Sequence, residues 1–287
     1  MNIKRISLAI PFFGVALMLV QSLAFSADQK PAFGDCVLSN AKPTQHFQTK
    51  VPGVLTIAGP IASSPTGYRG SNPSNINGGD LYCLTAEIAY RGGLTSVKIV
   101  NLPWDALISG NNKDFDFTVM NVAITPERQK VMDFSIPYRT VNPVVVVKGN
   151  KVLTESQLKT AKVGIIIGAK RYENFLKDTV GVTAIQQFDT NADMLHALMA
   201  GFIDAAFSDS TGLMPAVARS NGAMKVIARY DIGTSLGVMF PKGSPNVALV
   251  DSILNDMKAD GTLAEIERKW LLPVLGGDPV ALPVWGK

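Results

Sequence analysis

The chain has 287 residues, 47% of them hydrophobic and only 17% charged, with 25 glycines and 17 prolines. That length holds one large domain or two medium ones with their own cores, and the composition excludes a disordered chain, a collagen and a small disulfide scaffold. The formal net charge is +4, of which Lys4 and Arg5 supply two; no long run of Lys and Arg follows, so nucleic acid is not an expected partner.

Residues 1–27 read as an export signal. Lys4 and Arg5 form a positive start, Leu8 to Val20 is apolar, and Ala24-Phe-Ser26-Ala27 supplies small residues for cleavage. The alternative is an uncleaved anchor, against which Pro11, Gly14 and Gln21 speak. No later stretch approaches the ~18–20 apolar residues that span a bilayer, so the mature protein is expected in the periplasm, beginning with an N-terminal extension over 28–50. Cys36 and Cys83 are an even count in an oxidising compartment, which predicts one disulfide; the alternative for Cys83 is a small buried core residue. His46 and His196 are far apart and no spaced ligand cluster occurs, so neither metal nor cofactor is expected, and His196 reads as packed in an apolar helix.

From Val54 onward, short β-branched runs alternate with helical patterns, the signature of an α/β fold with open sheets. Leu55–Ile57 is a strand, and Gly59–Gly79 is a loop rich in Gly, Pro, Ser and Asn. A helix over Leu81–Tyr90 and a strand over Val97–Val100 follow, then a short helix at Trp104–Ile108 ended by Gly110. Phe115–Met120 alternates like a strand. Val163–Ile167 is a continuous apolar run, expected of a strand covered on both faces. A helix from Arg171 to Lys177 comes next, then one begun by Thr190 with Met194, Leu195, Leu198 and Met199 as its apolar face. Ile203–Phe207 is a strand, and Val247–Lys258 and Thr262–Trp270 are helices. Pro143–Lys148 and Ser235–Pro241 read as crossings between two lobes rather than as core strands. The expected division is lobe 1 over 51–145 and 239–287, interrupted by lobe 2 over 146–238.

Residues Phe115 to Tyr138 contain Asp116, an apolar run, Thr125-Pro-Glu-Arg128 and Asp133-Phe-Ser-Ile-Pro-Tyr138. This pattern resembles the polar-amino-acid family of bacterial periplasmic solute-binding proteins that serve ABC transporters. Trp104-Asp-Ala-Leu, Lys162-Val-Gly164, Ala200 to Asp209 and Pro241-Lys-Gly-Ser244 extend the resemblance over most of Val54–Leu272. It implies a two-lobed periplasmic-binding-protein-like fold, each lobe an open sheet flanked by helices, joined by two crossover strands. It implies a monomer that closes on a small ligand and meets a membrane permease, without catalysis.

A zwitterion leaving water needs both its charges paired. The resemblance assigns the ligand carboxylate to Arg128, whose fork can give two parallel charge-assisted bonds, and the ligand ammonium to Asp209. Each has a bland alternative, a solvated turn arginine and a helix N-cap. Trp104 stands where the family often places an aromatic against the ligand side chain, and it reads equally as core. Ala123 replaces a usual Ser or Thr, leaving Asn121 to offer an oxygen. Gly168-Ala169-Lys170 replaces Gly-Thr/Ser-Thr, so the amides of Ala169 and Lys170 would face an anion, and Lys170 adds a cation that is either solvated or ligand-binding. Ser63 stands in place of a stacking aromatic, a role Tyr68 could take over. Two cations, one acid and a lost hydroxyl favour an acidic or neutral amino acid or a small carboxylate. Two alternatives stay open: an accessory protein of a periplasmic quinoprotein dehydrogenase, suggested by the altered positions, and a dehydratase acting on a cyclic carboxylate. For the latter, Glu173 sits on what reads as an ordinary exposed helix.

Overall fold

A computed structural model describes residues 30–43, 46–60, 67–70, 72–149 and 151–286. The expected leader and Ser63 lie outside these residues. In chain order the elements are β1 (Val54–Gly59), α1 (Asp80–Arg91), β2 (Ser96–Asn101), α2 (Trp104–Ile108), α3 (Pro126–Gln129), β3 (Met132–Val141) and β4 (Pro143–Lys148). Then come α4 (Glu155–Leu158), β5 (Lys162–Ile166), α5 (Lys170–Asn174), β6 (Ala184–Phe188), α6 (Asn191–Ala200), β7 (Ala205–Asp209), α7 (Ser210–Ala218) and β8 (Met224–Tyr230). β9 (Thr234–Pro241), α8 (Val247–Ala259), α9 (Thr262–Ile266), α10 (Leu272–Leu275) and β10 (Val284–Trp285) complete the chain. α5 and α9 each run on into a π-helical turn, Phe175–Val180 and Glu267–Leu271.

β1 and β2 pair in parallel, while a six-stranded sheet takes the order β10-β8-β4-β7-β5-β6. Between these sheets lies an antiparallel ribbon of β3 and β9, in register from Met132 opposite Pro241 to Val141 opposite Thr234 and bulged around Pro137. The core divides accordingly. Leu55, Ile57, Leu84, Ile88, Phe117, Phe240 and Ile253 pack in one cluster, and the larger sheet carries a cluster on each face. The expected two-lobed α/β architecture is present.

Four expectations are corrected. Pro143–Lys148 is not a crossing but an interior strand between β7 and β8. Strand alternation sends Val145 and Val147 to one core face and Val144 and Val146 to the other, and all four are fully buried. An unbroken valine run is what a doubly covered strand requires; the crossing is made instead by β3, one step earlier. Second, the C-terminal segment does not stay with the first sheet. Leu271 and Leu275 pack on the face carrying Leu198 and Leu213, with Leu282 against them. Gly276 and Gly277, both at positive φ, then turn the chain so that β10 extends the larger sheet beside β8. Third, Phe115–Met120 forms isolated bridges, Phe117 to Ile57 and Thr118 to Met239, rather than a continuous strand. His196 is exposed on α6 rather than packed.

The N-terminal extension is strapped over the outer side of the first core. Phe33, Leu38 and Phe47 are buried in it, and the Cys36–Cys83 disulfide forms as expected. Ser39 gives its amide and hydroxyl to the buried carboxylate of Glu87, which Arg91 also grips at 2.7 Å. At the far end the Lys50 amide donates to Asp116 at 2.7 Å. Among the described residues no helix is long and apolar enough to cross a membrane, and no three His, Cys, Asp or Glu gather as a metal site.

Candidate functional site

The segment carrying Arg128 is fixed at both ends. Asp116 is buried, and its second carboxylate oxygen accepts from the Thr56 amide at 2.7 Å, tying the segment to β1. From there it lies along β9: Thr118 and Met239 exchange amide bonds, Gly237 donates to the Val122 carbonyl, and Ile124 donates to the Ser235 carbonyl. Two buried phenols hold the bend, Tyr68 donating to the Val119 carbonyl at 2.7 Å and Tyr138 to the Met120 carbonyl at 2.6 Å. Tyr68 is therefore a core residue with its hydroxyl engaged, not a free ring for stacking. The Val122 amide also donates to the Met120 carbonyl at 2.7 Å, so that acceptor is fully used.

Thr125 caps α3 by accepting from the Arg128 amide, and Pro126 occupies the first helical position where its missing N–H costs nothing. This places the Arg128 side chain back along its own turn. Its Nη1 donates to the Ala123 carbonyl at 2.8 Å, and its guanidinium lies 5.4 Å over the Trp104 ring. Arg128 is half-buried, and burial lowers its pKa from the usual arginine value. Among the described residues no carboxylate forms an ion pair with it. A desolvated cation held without an anion is poised for one. The exposed Asn121 and the alanine methyl of residue 123 leave few acceptors for an ammonium on this side.

Asp209 ends β7 opposite Pro143. It stands at the N-cap position of α7, but its side chain makes no capping bond; the carboxylate instead accepts from the Tyr172 hydroxyl. Burial raises the Asp209 pKa, against the pull of the Tyr172 hydrogen bond and the Arg171 charge. Burial, and then Asp209, raise that of Tyr172. Arg171 donates to the carbonyls of Ile232 and Gly233 and to Thr234 Oγ1, anchoring α5 to the start of β9.

The ribbon connects the segment that carries Arg128 to the strand that ends in Asp209. Ala123 bridges Leu236, Thr234 opposes Val141, and Val141 is two residues from Pro143, the partner of Asp209.

The Lys170 side chain is largely exposed. Its ammonium pairs with Glu173 at 2.9 Å, and Glu173 also holds Lys177 at 2.7 Å. Hydrogen bonds from Lys177 and Lys170 lower the Glu173 pKa to about 2. The amides of Ala169 and Lys170 are likewise spoken for, donating to the carbonyls of Ile166 and Gly168. The second cation that favoured an anionic ligand thus shares one carboxylate with Lys177. Sequence reasoning also missed Tyr172 and Arg171. Reading the helix as exposed hid them, although a tyrosine between two charged residues at the start of an amphipathic turn was a usable signal.

The sequence profile of bacterial extracellular solute-binding proteins, family 3, matches residues 55–273. The chain belongs to that family. The match leaves the strap and the C-terminal strand outside. The chain is 30% identical over 173 residues to the L-cystine-binding protein TcyJ of Escherichia coli K12, covering 58% of this chain and 64% of that protein, just under two thirds of its length. It is 29% identical over 264 residues to the L-cystine-binding protein TcyA of Bacillus subtilis, covering 89% of this chain and 96% of that one. An ancestral arginine-binding protein bound to arginine aligns with TM-score 0.56 and 27% identity, covering 76% and 98% of the two chains. The L-cystine solute receptor of Neisseria gonorrhoeae in its unliganded open conformation aligns with TM-score 0.64 at 21% identity, covering 78% and 93%, which shows the fold.

Proposed function

We propose that this protein binds a free amino acid in the periplasm and delivers it to an ABC permease, without chemical turnover. The observation that carries this reading is the half-buried Arg128 guanidinium, braced by the Ala123 carbonyl and Trp104 and in no ion pair among the described residues. The ligand carboxylate docks there by paired charge-assisted bonds, each worth about 1.5–3 kcal/mol. Its ammonium meets Asp209, which Tyr172 holds in place. Closure of the lobes is driven by the contacts to Asp209 that exist only when the gap is narrow. Relatives named for cystine, and others named for arginine and glutamine, support an amino acid as the ligand class. The anionic preference that rested on Lys170 is not carried forward, because Lys170 is engaged with Glu173 and these relatives are named for cystine, glutamine and arginine.

The test is a thermal-shift screen of a chain starting at residue 28 with cystine, arginine, glutamine and glutamate. A ligand at a hundred times its Kd stabilises by about 2.7 kcal/mol, or roughly 5–11 °C at the ~2–4 °C per kcal/mol expected for this size. A shift that Arg128→Ala abolishes supports the reading. Well-folded protein that responds to none of the four sinks it.

A further inference from the structure

We infer that Met120 is the residue that sets side-chain specificity, seated over Gly59 where it closes the first-lobe end of the ligand's side-chain subsite. This deepens the reading above and rests on the ligand carboxylate docking at Arg128. Gly59 is the last residue of β1, and its carbonyl accepts from the Leu102 amide, so its place is fixed. A Cβ at Gly59 would stand 2.7 Å from the Met120 sulfur. The glycine is thus the space that the thioether occupies. The Met120 backbone cannot drift, since Tyr138 and the Val122 amide both hold its carbonyl and Tyr68 holds the carbonyl before it.

Met120 and Trp104 pack against the same cluster, which contains Ala58, Leu107, Val122 and Met239. Arg128 lies over Trp104, and Trp104 and Met120 flank this one cluster, so we place the side chain of a ligand whose carboxylate sits on Arg128 against both. Behind the thioether is a gap too narrow for a water molecule, bordered by Ile57, Ala58, Tyr68 and Ile99. Met120 therefore acts as a plug. Its soft, polarisable surface beside an indole favours an uncharged or sulfur-bearing side chain and disfavours one whose charge would have to be desolvated there.

Two variants move the plug in opposite senses. Met120→Ala removes three heavy atoms and joins the narrow gap to the subsite. Gly59→Ala keeps the thioether but pushes it away from β1 and into the subsite, at little cost in stability because the atom met is the mobile end of a flexible chain. The experiment measures Kd by calorimetry for alanine, methionine and cystine with the wild type and both variants, with thermal melts as a fold control. One methylene in an apolar pocket is worth about 10–200-fold in discrimination. The expected result is a methionine-to-alanine affinity ratio at least about tenfold higher in Met120→Ala and lower in Gly59→Ala. If both variants bind and change every ligand by one common factor, or none, the inference is overturned while the function stands. If the wild type binds none of the three and no other amino acid, both fall.

Discussion

Removing the Cys36–Cys83 bond should cost the fold a defined amount. The cysteines are 47 residues apart, and closing a loop of that length restricts the unfolded chain by about 4 kcal/mol in the loop-entropy account. At roughly 2–4 °C per kcal/mol for a chain of this size, the melting temperature should fall by roughly 8–16 °C. The loss is not expected to be total, because Phe33, Leu38 and Phe47 are buried independently of the sulfur bridge and Ser39 stays bound to Glu87 and Arg91. The assay compares calorimetric melts of oxidised protein, protein kept in excess dithiol, and the Cys36→Ala/Cys83→Ala variant. A drop under about 2 °C in both reduced forms would refute the reasoning, since it would mean that the strap adds nothing to the unfolding unit.

Other outcomes follow from the site. Arg128→Lys keeps the charge but loses the fork and should weaken ligand binding at least tenfold, read by calorimetry; an unchanged Kd would remove Arg128 from the ligand. Because burial raises the Asp209 pKa and only the ionised form pairs with an ammonium, affinity should be full near neutrality. It should fall with acidification sooner than an ordinary carboxylate of pKa ~3.9 would give; Asp209→Asn should bind weakly and lose that slope, and a wild-type profile flat down to about pH 4 counts against the pairing. Lys170→Ala should leave the Kd within about twofold, since the side chain is largely exposed and pairs with Glu173; a tenfold loss would restore it as a ligand contact.

The fold was legible where local chemistry decides it. Thr190 announced its helix because a capping hydroxyl acts within three residues, and Val163–Ile167 announced a doubly covered strand. Pro143–Lys148 was misread because an all-valine run is equally apolar on both faces, so its neighbours are set by β7 and β8 from far along the chain. The C-terminal strand was missed for the same reason: two residues, Val284 and Trp285, find their place only against Tyr230 and Arg229. In the candidate site, Arg128 and Asp209 were singled out by the pattern around them. The Lys170–Glu173 pair was not drawn from the sequence, although the three-residue spacing is one that pairs side chains on a helix. Met120 over Gly59 was not visible, because the fit of a thioether to a missing methyl is a tertiary fact.

The central claim is that one ligand is held by its two ends, carboxylate on Arg128 and ammonium on Asp209. The most direct measurement takes the tightest-binding amino acid and titrates the protein with it, with its α-amide and with its N-acetyl derivative. The account predicts that each derivative binds at least about a hundredfold more weakly, because each leaves a desolvated charge unpaired. Either derivative binding as tightly as the parent would contradict it.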